Sequence, residues 1–433
     1  MQFFGTIFSL LAFAALSFGR TETNNSNIKV LLIAGSSGWG NYRHQADISH
    51  AYQVLRKRNI PAGNIVTMMY DDIATNPQNP FQGKIFNHPS LKDDVYGGVQ
   101  IDYKGNDITE KNFLCAMSGD KECVKGVGTG RVLESGHDDD VFVYYADHGG
   151  DSILGLPTGE VIHRQKLIAT LKHMHANNRY KKLVLYIEAC ESGSMSVGLP
   201  NDINIFVATA SNAEESSWAT YCDNKSGLPC LGDEFSVNWI EDSCAHTCKD
   251  YTIDQQVSTV KKETKKSHVS EFGCMDIGSQ RISDFEGESK KEGEIERTPV
   301  FDTADYISVE STDAEMYYAT KQMKIATSMK ERFMHLTSVV NLNNQKKINS
   351  QVVEGVLANL HLTKGDVQNL MPPMYSNESD TCHSLVMSKI GECCDGLGNN
   401  AYLMRSSKTF YAICTTQIGT SQIMKAIEMV CKH

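Results

Sequence analysis

Two short apolar runs, each ending in a reactive residue, limit what this chain can fold into more than any other feature. Val141-Phe142-Val143-Tyr144-Tyr145-Ala146 leads into Asp147-His148-Gly149-Gly150, and Leu183-Val184-Leu185-Tyr186-Ile187 leads into Glu188-Ala189-Cys190-Glu191-Ser192-Gly193. Runs this rich in β-branched and aromatic residues, stopping at small residues, read as buried parallel strands followed by turns. A histidine and a cysteine then sit at the carboxyl ends of two strands of one sheet. Open α/β sheets bind ligands at that edge, so an imidazole and a thiol meeting there make a base and a nucleophile for acyl transfer.

Strand-like and helical patterns alternate from residue 28 to about 240. Ile28 to Ala34 and Asn64 to Tyr70 read as strands, as does Ile203 to Ala210, and His163 to Asn178 reads as a crossover helix. Ile48, Ala51, Tyr52 and Leu55 share one helical face. This βαβ alternation predicts an α/β fold, a mostly parallel sheet with helices on both faces. His44 and His50, which bracket Asp47, read as a face of that structural helix and not as a metal pair. The Gly-rich stretch from Lys125 to Gly130 lacks phosphate-loop spacing and reads as a flexible surface loop.

The texture changes near Asp284. Phe285 to Glu315 is charged and poor in large aliphatics, so 285–320 is expected to be an exposed linker between a catalytic unit, 28–284, and a C-terminal region, 321–433. Met323 to Leu336 and Gln351 to Leu370 resume helical spacing. Residues 321–433 hold 12 Lys and Arg against 8 Asp and Glu, and the preceding residues hold 29 against 44. A basic module could dock on an acidic one and release on acidification as carboxylates are protonated; equally, it could be an ordinary helical domain. The overall charge of -11 excludes a nucleic-acid partner, which needs a basic face.

Residues 1–19 carry no charge, and Phe3 to Phe18 is almost wholly apolar. This segment reads as a secretory signal peptide without the usual basic start; a short membrane anchor is the other reading. Thirteen cysteines and sequons at Asn24, Asn224 and Asn377 fit the secretory pathway. The odd cysteine total leaves at least one thiol unpaired within the chain, and Cys190 is the best candidate.

Ordered segments across residues 28–245 carry a specific resemblance: Asn41-Tyr42-Arg43-His44-Gln45-Ala46-Asp47, Met68-Met69-Tyr70-Asp71-Asp72, Asp147-His148-Gly149, Tyr186 to Ser194, Glu215-Ser216-Ser217-Trp218 and Leu231-Gly232-Asp233. In these the chain resembles the legumain family, asparaginyl endopeptidases among the caspase-like cysteine proteases. The resemblance implies a caspase-like catalytic unit followed by a helical, disulfide-bonded C-terminal prodomain. It implies Cys190 as nucleophile, His148 as base and acid, and Asn41 as the residue that orients His148. The backbone N–H groups of Gly149 and Cys190 would form the oxyanion hole. Arg43, Glu188, Asp233, Ser216 and Ser217 would line the pocket for the residue before the scissile bond. There Arg43 would donate to an asparagine's amide oxygen while the two acids accept from its nitrogen, so that aspartate enters only when protonated. No metal or other cofactor is implied. Protein and peptide substrates, the prodomain as inhibitor, cystatin-type inhibitors and a lysosomal, vacuolar or secreted location all come with the resemblance.

The same resemblance pairs Cys382 with Cys414 and Cys394 with Cys431, and likens Cys222 and Cys230 to a known bridge. It assigns no partner to Cys115, Cys123, Cys244, Cys248 or Cys274. Phe285 to Val340 contains no asparagine for self-processing. Activation then falls to Asn341, Asn343 or Asn344, to Asp302, Asp305 or Asp313 at low pH, or to another protease. Three functions fit: an asparagine-directed zymogen, a transamidase or peptide ligase of the same superfamily, and a non-catalytic binding protein.

Overall fold

The computed structural model describes residues 25–246, 250–288, 306–371, 373–394 and 396–431. The expected signal peptide lies outside these residues. At the centre is a six-stranded sheet of β1 (Ile28–Ala34), β2 (Ile65–Met68), β3 (Asp140–Ala146), β4 (Lys182–Glu188), β5 (Ile205–Thr209) and β6 (Ser270–Gly273). Their spatial order is β6-β5-β4-β3-β1-β2. The first five strands are mutually parallel, and β6 is an antiparallel edge. The direction of strand progression reverses between β1 and β3, which makes their carboxyl ends a switch-point crevice. Register sets Ala34 opposite Ala146 and Ala146 opposite Glu188, so β1, β3 and β4 end level and release their next residues into one place.

The strands are apolar throughout because both faces are covered. Val30, Leu32, Phe142, Tyr144, Val184 and Tyr186 face the helices Tyr42–Lys57, Glu234–Ala245 and Ile253–Glu263. Trp239 meets Phe142, Tyr144 and Tyr186 edge-on, with centroids 5.7, 4.9 and 5.6 Å away. Leu31, Ile33, Val143, Tyr145, Leu185 and Ile187 face the other way, toward the helices Glu110–Ser118 and Arg164–Ala176. Each such side chain contributes about 1.5–3 kcal/mol by leaving water. After His148 the chain forms a small antiparallel sheet of Gly149–Gly150, Ile153–Gly155 and Val161–His163.

Two expectations are corrected. Phe285 is fully buried against the main sheet, and Glu286 pairs with buried Arg58 at 2.8 Å, so this segment closes the catalytic unit. Its acidic composition hid a structural ion pair. Farther on, Val309–Glu310 joins a strand edge and Ala314–Ile325 is a packed helix, so the second part of the expected linker belongs to the body. The glycine-rich stretch 125–130 is likewise anchored: a Cβ on Gly128 would lie 2.2 Å from the Asp102 carbonyl, and Thr129 N–H donates to that same oxygen.

The C-terminal module is built from the helices Met329–Asn359, Asn377–Cys393, Ser407–Cys414 and Thr420–Cys431. Where the sequence pattern reads as two helical stretches, one 31-residue helix forms, started by a Ser328–Glu331 capping box and containing no proline. Val356, Val386, Ile390, Phe410, Ile413 and Ile427 make an apolar core of their own. Bridges Cys382–Cys414 and Cys394–Cys431 cross-link it. Cys222–Cys230 is also bridged, as is Cys115–Cys123, a pair the sequence did not assign; Cys248 lies outside the described residues. Cys190 is a free, buried thiol. The module meets the catalytic unit through backbone contact: a Cβ on Gly150 would lie 2.3 Å from the Met404 carbonyl. Among the described residues no helix is long and apolar enough to cross a membrane.

Candidate active site

Asn41 ends a short turn after β1, His148 follows β3 and Cys190 follows β4, so the level strand ends bring the three together. Asn41 Nδ2 donates to the Ser37 carbonyl at 3.0 Å, which aims Oδ1 at His148 Nε2, 2.9 Å away. With Oδ1 accepting, Nε2 carries the proton and Nδ1 is left as a lone pair. His148 Nδ1 is buried and has no hydrogen-bond partner in the protein. Cys190 Sγ has Ser217 Oγ as its neighbour, at 3.9 Å. Burial pushes the Cys190 thiol up to about 12, with the Glu191 carboxylate adding to the rise. Burial and then the Arg43 charge hold His148 well below its usual value. Thiol and imidazole are therefore both neutral in this covered state. Gly149 is required here because a Cβ would lie 2.5 Å from the Cys190 carbonyl.

Beside this group lies a buried cluster of charged side chains that includes Arg43, on the first turn of the Tyr42–Lys57 helix. Arg43 Nε donates to Asp233 Oδ1 at 2.8 Å, and Glu188 Oε2 accepts from the Ser236 N–H and hydroxyl, each at 3.0 Å. Arg43 Nη1, Glu188 Oε1 and Asp233 Oδ2 are buried without a hydrogen-bond partner in the protein. Burial raises the pKa of Glu188, Asp233 and nearby Asp47, and the first and last of these are pushed further by the Asp233 charge. Ser217 works against the rise at Glu188 without cancelling it. Ser216 and Ser217 are buried at the head of the strand Trp218–Thr220.

A cap lies along that strand. Val309–Glu310 pairs antiparallel with it, and Ser311 N–H donates to the Ser217 carbonyl at 3.0 Å. Arg43 Nη2 donates to Ser311 Oγ at 2.7 Å and to its carbonyl at 3.2 Å. The module fastens the cap through Arg405 to Glu310 and Tyr402 to Asp313, both at 2.8 Å. Glu315 sits over Gly40, where a Cβ would lie 2.4 Å from its Cγ. A cavity of about 150 Å³ remains, lined among others by Asn41, His148, Ser311, Leu342, Gln345 and Tyr402.

Sequence reasoning missed the layer under His148. His44, read as a plain helix face, is fully buried with Nδ1 2.6 Å from Ser36 Oγ and 3.1 Å from Asp147 Oδ1. Its Nε2 lies 3.5 Å from Asp233 Oδ2, and its ring meets His148 edge-on at 5.1 Å. Its place directly after Arg43 was the available signal. His44, Asp147 and His148 each bring one ligand atom within 4.8 Å of the others, the spacing of a possible metal site. Ser36 and Asn41 already engage one ring nitrogen of each histidine, the pattern of a hydrogen-bond network.

The peptidase C13 family model matches residues 29–288, the whole of the unit that carries these groups. The chain belongs to the peptidase C13 family. As a member it is a cysteine endopeptidase. Among curated proteins it is similar to hemoglobinase of Schistosoma japonicum, 37% identical over 93% of this chain and 92% of that one. Legumain of Rattus norvegicus is 36% identical over the same shares. A vacuolar-processing enzyme beta-isozyme of Arabidopsis thaliana is 50% identical over 59% of this chain, a stretch that covers 55% of the plant protein. Peptidase C13 membership thus extends along the catalytic unit, and the two longer alignments run on into the C-terminal module.

Proposed function

We propose that this chain is the latent precursor of an endopeptidase that cuts proteins and peptides after asparagine, and after aspartate only in acid, in a compartment of the secretory pathway. The observation that supports the reading is the set of atoms in this buried cluster that make no hydrogen bond within the protein, Asp233 Oδ2 lying 3.5 Å from His44 Nε2. One cationic donor, Arg43 Nη1, and two carboxyl oxygens, Glu188 Oε1 and Asp233 Oδ2, complement the acceptor and the two N–H donors of a carboxamide. An ionised aspartate would meet two acids, whereas a protonated one offers an O–H in place of the N–H.

With the cap displaced, Cys190 and His148 regain water and the thiol proton passes to His148 Nδ1. Sγ attacks the carbonyl carbon, and the backbone N–H groups of Gly149 and Cys190 hold the oxyanion. His148 returns the proton to the departing amine, leaving a thioester. Water, deprotonated by His148, then releases the acid and restores the thiol. Asn41 keeps the imidazole in the tautomer that makes this possible.

Acid weakens the cover through buried imidazoles. His383 lies in the module facing His163, Arg164, Tyr411 and the Ser407 carbonyl, and burial lowers it to about 3. A base with a depressed folded value stabilises the docked state above about 6.5 and loses that contribution as pH falls toward 3. Glu191, raised to about 8 by burial, and Asp151, raised by burial where Tyr375 of the module meets it, act in the opposite sense, so the His383 contribution must outweigh them. The test is turnover of matched peptides bearing Asn, Asp, Gln or Ala before the scissile bond, from pH 4 to 7.5, with and without acid preincubation. Acid-dependent, Asn-selective turnover is expected; equal cleavage after Asn and Asp at neutral pH contradicts the pocket.

A further inference from the structure

We propose that Glu234 is a specificity residue of the cleft: it selects peptides with a hydrogen-bond donor, a hydroxyl or a cation, three residues before the asparagine and rejects an acid there. This rests on the asparagine-directed reading above.

The cap sets the register. Arg43 Nη2 donates to Ser311 Oγ and to its carbonyl, at 2.7 and 3.2 Å, so Ser311 stands beside the groups that would take the asparagine. Ser311 N–H donates to the Ser217 carbonyl at 3.0 Å, and before it Glu310 lies opposite Trp218 and Val309 opposite Ala219. An extended substrate bonded to the same strand edge takes the same register, because a slip of one residue would turn its asparagine away from Arg43. Its third residue before the asparagine then falls where Ser308 is.

Ser308 meets Glu234. Its Oγ lies 3.3 Å from Glu234 Oε1 and 3.2 Å from the Thr220 hydroxyl. An ionised carboxyl can only accept, so the Ser308 hydroxyl donates to it. Glu234 opens the helix Glu234–Ala245 directly after Asp233, which places the two acids at neighbouring points along the cleft. Its Oε2 accepts from the Lys266 N–H at 3.2 Å, which fixes the carboxyl and leaves Oε1 facing the cap. Burial raises Glu234 to about 6, while the Lys266 N–H, the Ser308 hydroxyl and the Lys266 and Lys265 charges act against the rise. A cation in place of Ser308 would add to that opposition and favour the ionised form, whereas an acid would set like charges together away from water. Lys265 and Lys266 are exposed, and the Lys266 ammonium lies over the Trp218 ring at 5.6 Å, so solvent screens them more than it screens the buried carboxyl.

The experiment uses the full chain after acid preincubation. Matched fluorogenic peptides keep asparagine before the scissile bond, carry Ser, Lys, Ala or Glu three residues earlier, and are assayed at about pH 6.5. Lysine should exceed glutamate by about tenfold in kcat/KM, a charge pair gained being set against a like-charge contact, with serine above alanine between them. Glu234→Gln keeps an acceptor and removes the charge, so serine should keep its advantage over alanine while the lysine-to-glutamate ratio falls to about one. Glu234→Leu should lose both preferences. Ratios taken within one variant cancel any difference in the amount of folded enzyme. Equal turnover of the lysine and glutamate peptides by the unaltered chain overturns the proposal, as does a ratio unmoved in Glu234→Gln. A preference for glutamate also overturns it and assigns the position to Lys265 and Lys266. If asparagine peptides are cut without discrimination at this position, only the role of Glu234 is wrong; if none is cut, the underlying reading fails and this one with it.

Discussion

Around the carboxyl edge of the sheet, Arg43, His148, Glu188 and Glu191 each keep a buried polar atom with no hydrogen-bond partner in the protein, while His44 meets Asp147 and Asp233 at ion-pair distance; in the C-terminal module, among the described residues, only Ser407 keeps such an atom. Each such atom costs about 1–3 kcal/mol. The catalytic unit offsets that cost with two continuous apolar layers, and other such atoms, on Thr67, Trp239 and Glu286 among them, lie inside it away from that edge. The module, smaller and held by two bridges, spends its burial on cohesion. One region is shaped to receive and the other to hold.

The largest expected effect sharpens this contrast. If Cys190 is the nucleophile proposed above, Cys190→Ala should lower peptide turnover by about 10⁴-fold or more, far beyond any change in thermal unfolding from trimming one small buried side chain. Next, Glu188→Gln should cut kcat/KM for asparagine peptides by about 10²-fold, with stability little changed because burial already favours the neutral acid at this position. A loss of several kcal/mol in urea unfolding would break the comparison and make the pocket structural. On the other side, replacing Cys382 and Cys414 by serine should cost about 2–4 kcal/mol. A module transition at lower temperature, with an unchanged catalytic one and turnover appearing without acid, is the expected calorimetric and kinetic result. His383→Gln removes the imidazole that disfavours docking in acid, so the release midpoint should fall by about one pH unit, followed by turnover after graded preincubation. Arg405→Ala is the smallest: its pair with Glu310 is 40% and 35% exposed and worth under about 1 kcal/mol, so basal leakage should rise only a few-fold.

The sheet and the level placing of His148 and Cys190 were legible because strand composition and chain order determine them locally, whereas Asn41 was named only through the family resemblance. The peptidase C13 assignment was legible for the same reason, since its motifs are short and contiguous. The cap was not. Ser311 reaches Arg43 across 268 residues, through a strand of only Val309 and Glu310 that no periodicity can reveal. His44 does lie on the structural helix it was read into, but its contacts with Ser36, Asp147 and Asp233 were not legible, because they come from distant parts of the chain that the helix start meets in the fold. Phe285 was lost in an acidic stretch whose Glu286 finds Arg58 inside the core.

The strand Val309–Glu310 has one more consequence. On the proposed reading it occupies the edge that a substrate would use, yet it belongs to the same molecule, so its effective concentration is set by its tether and is on the order of millimolar for a short link. A free peptide must approach that level to compete. Accumulating substrate therefore cannot switch the precursor on, whereas anything that severs or loosens the tether can. A peptide copied from residues 307–312 and added in solution would lose that advantage and inhibit the mature enzyme only weakly.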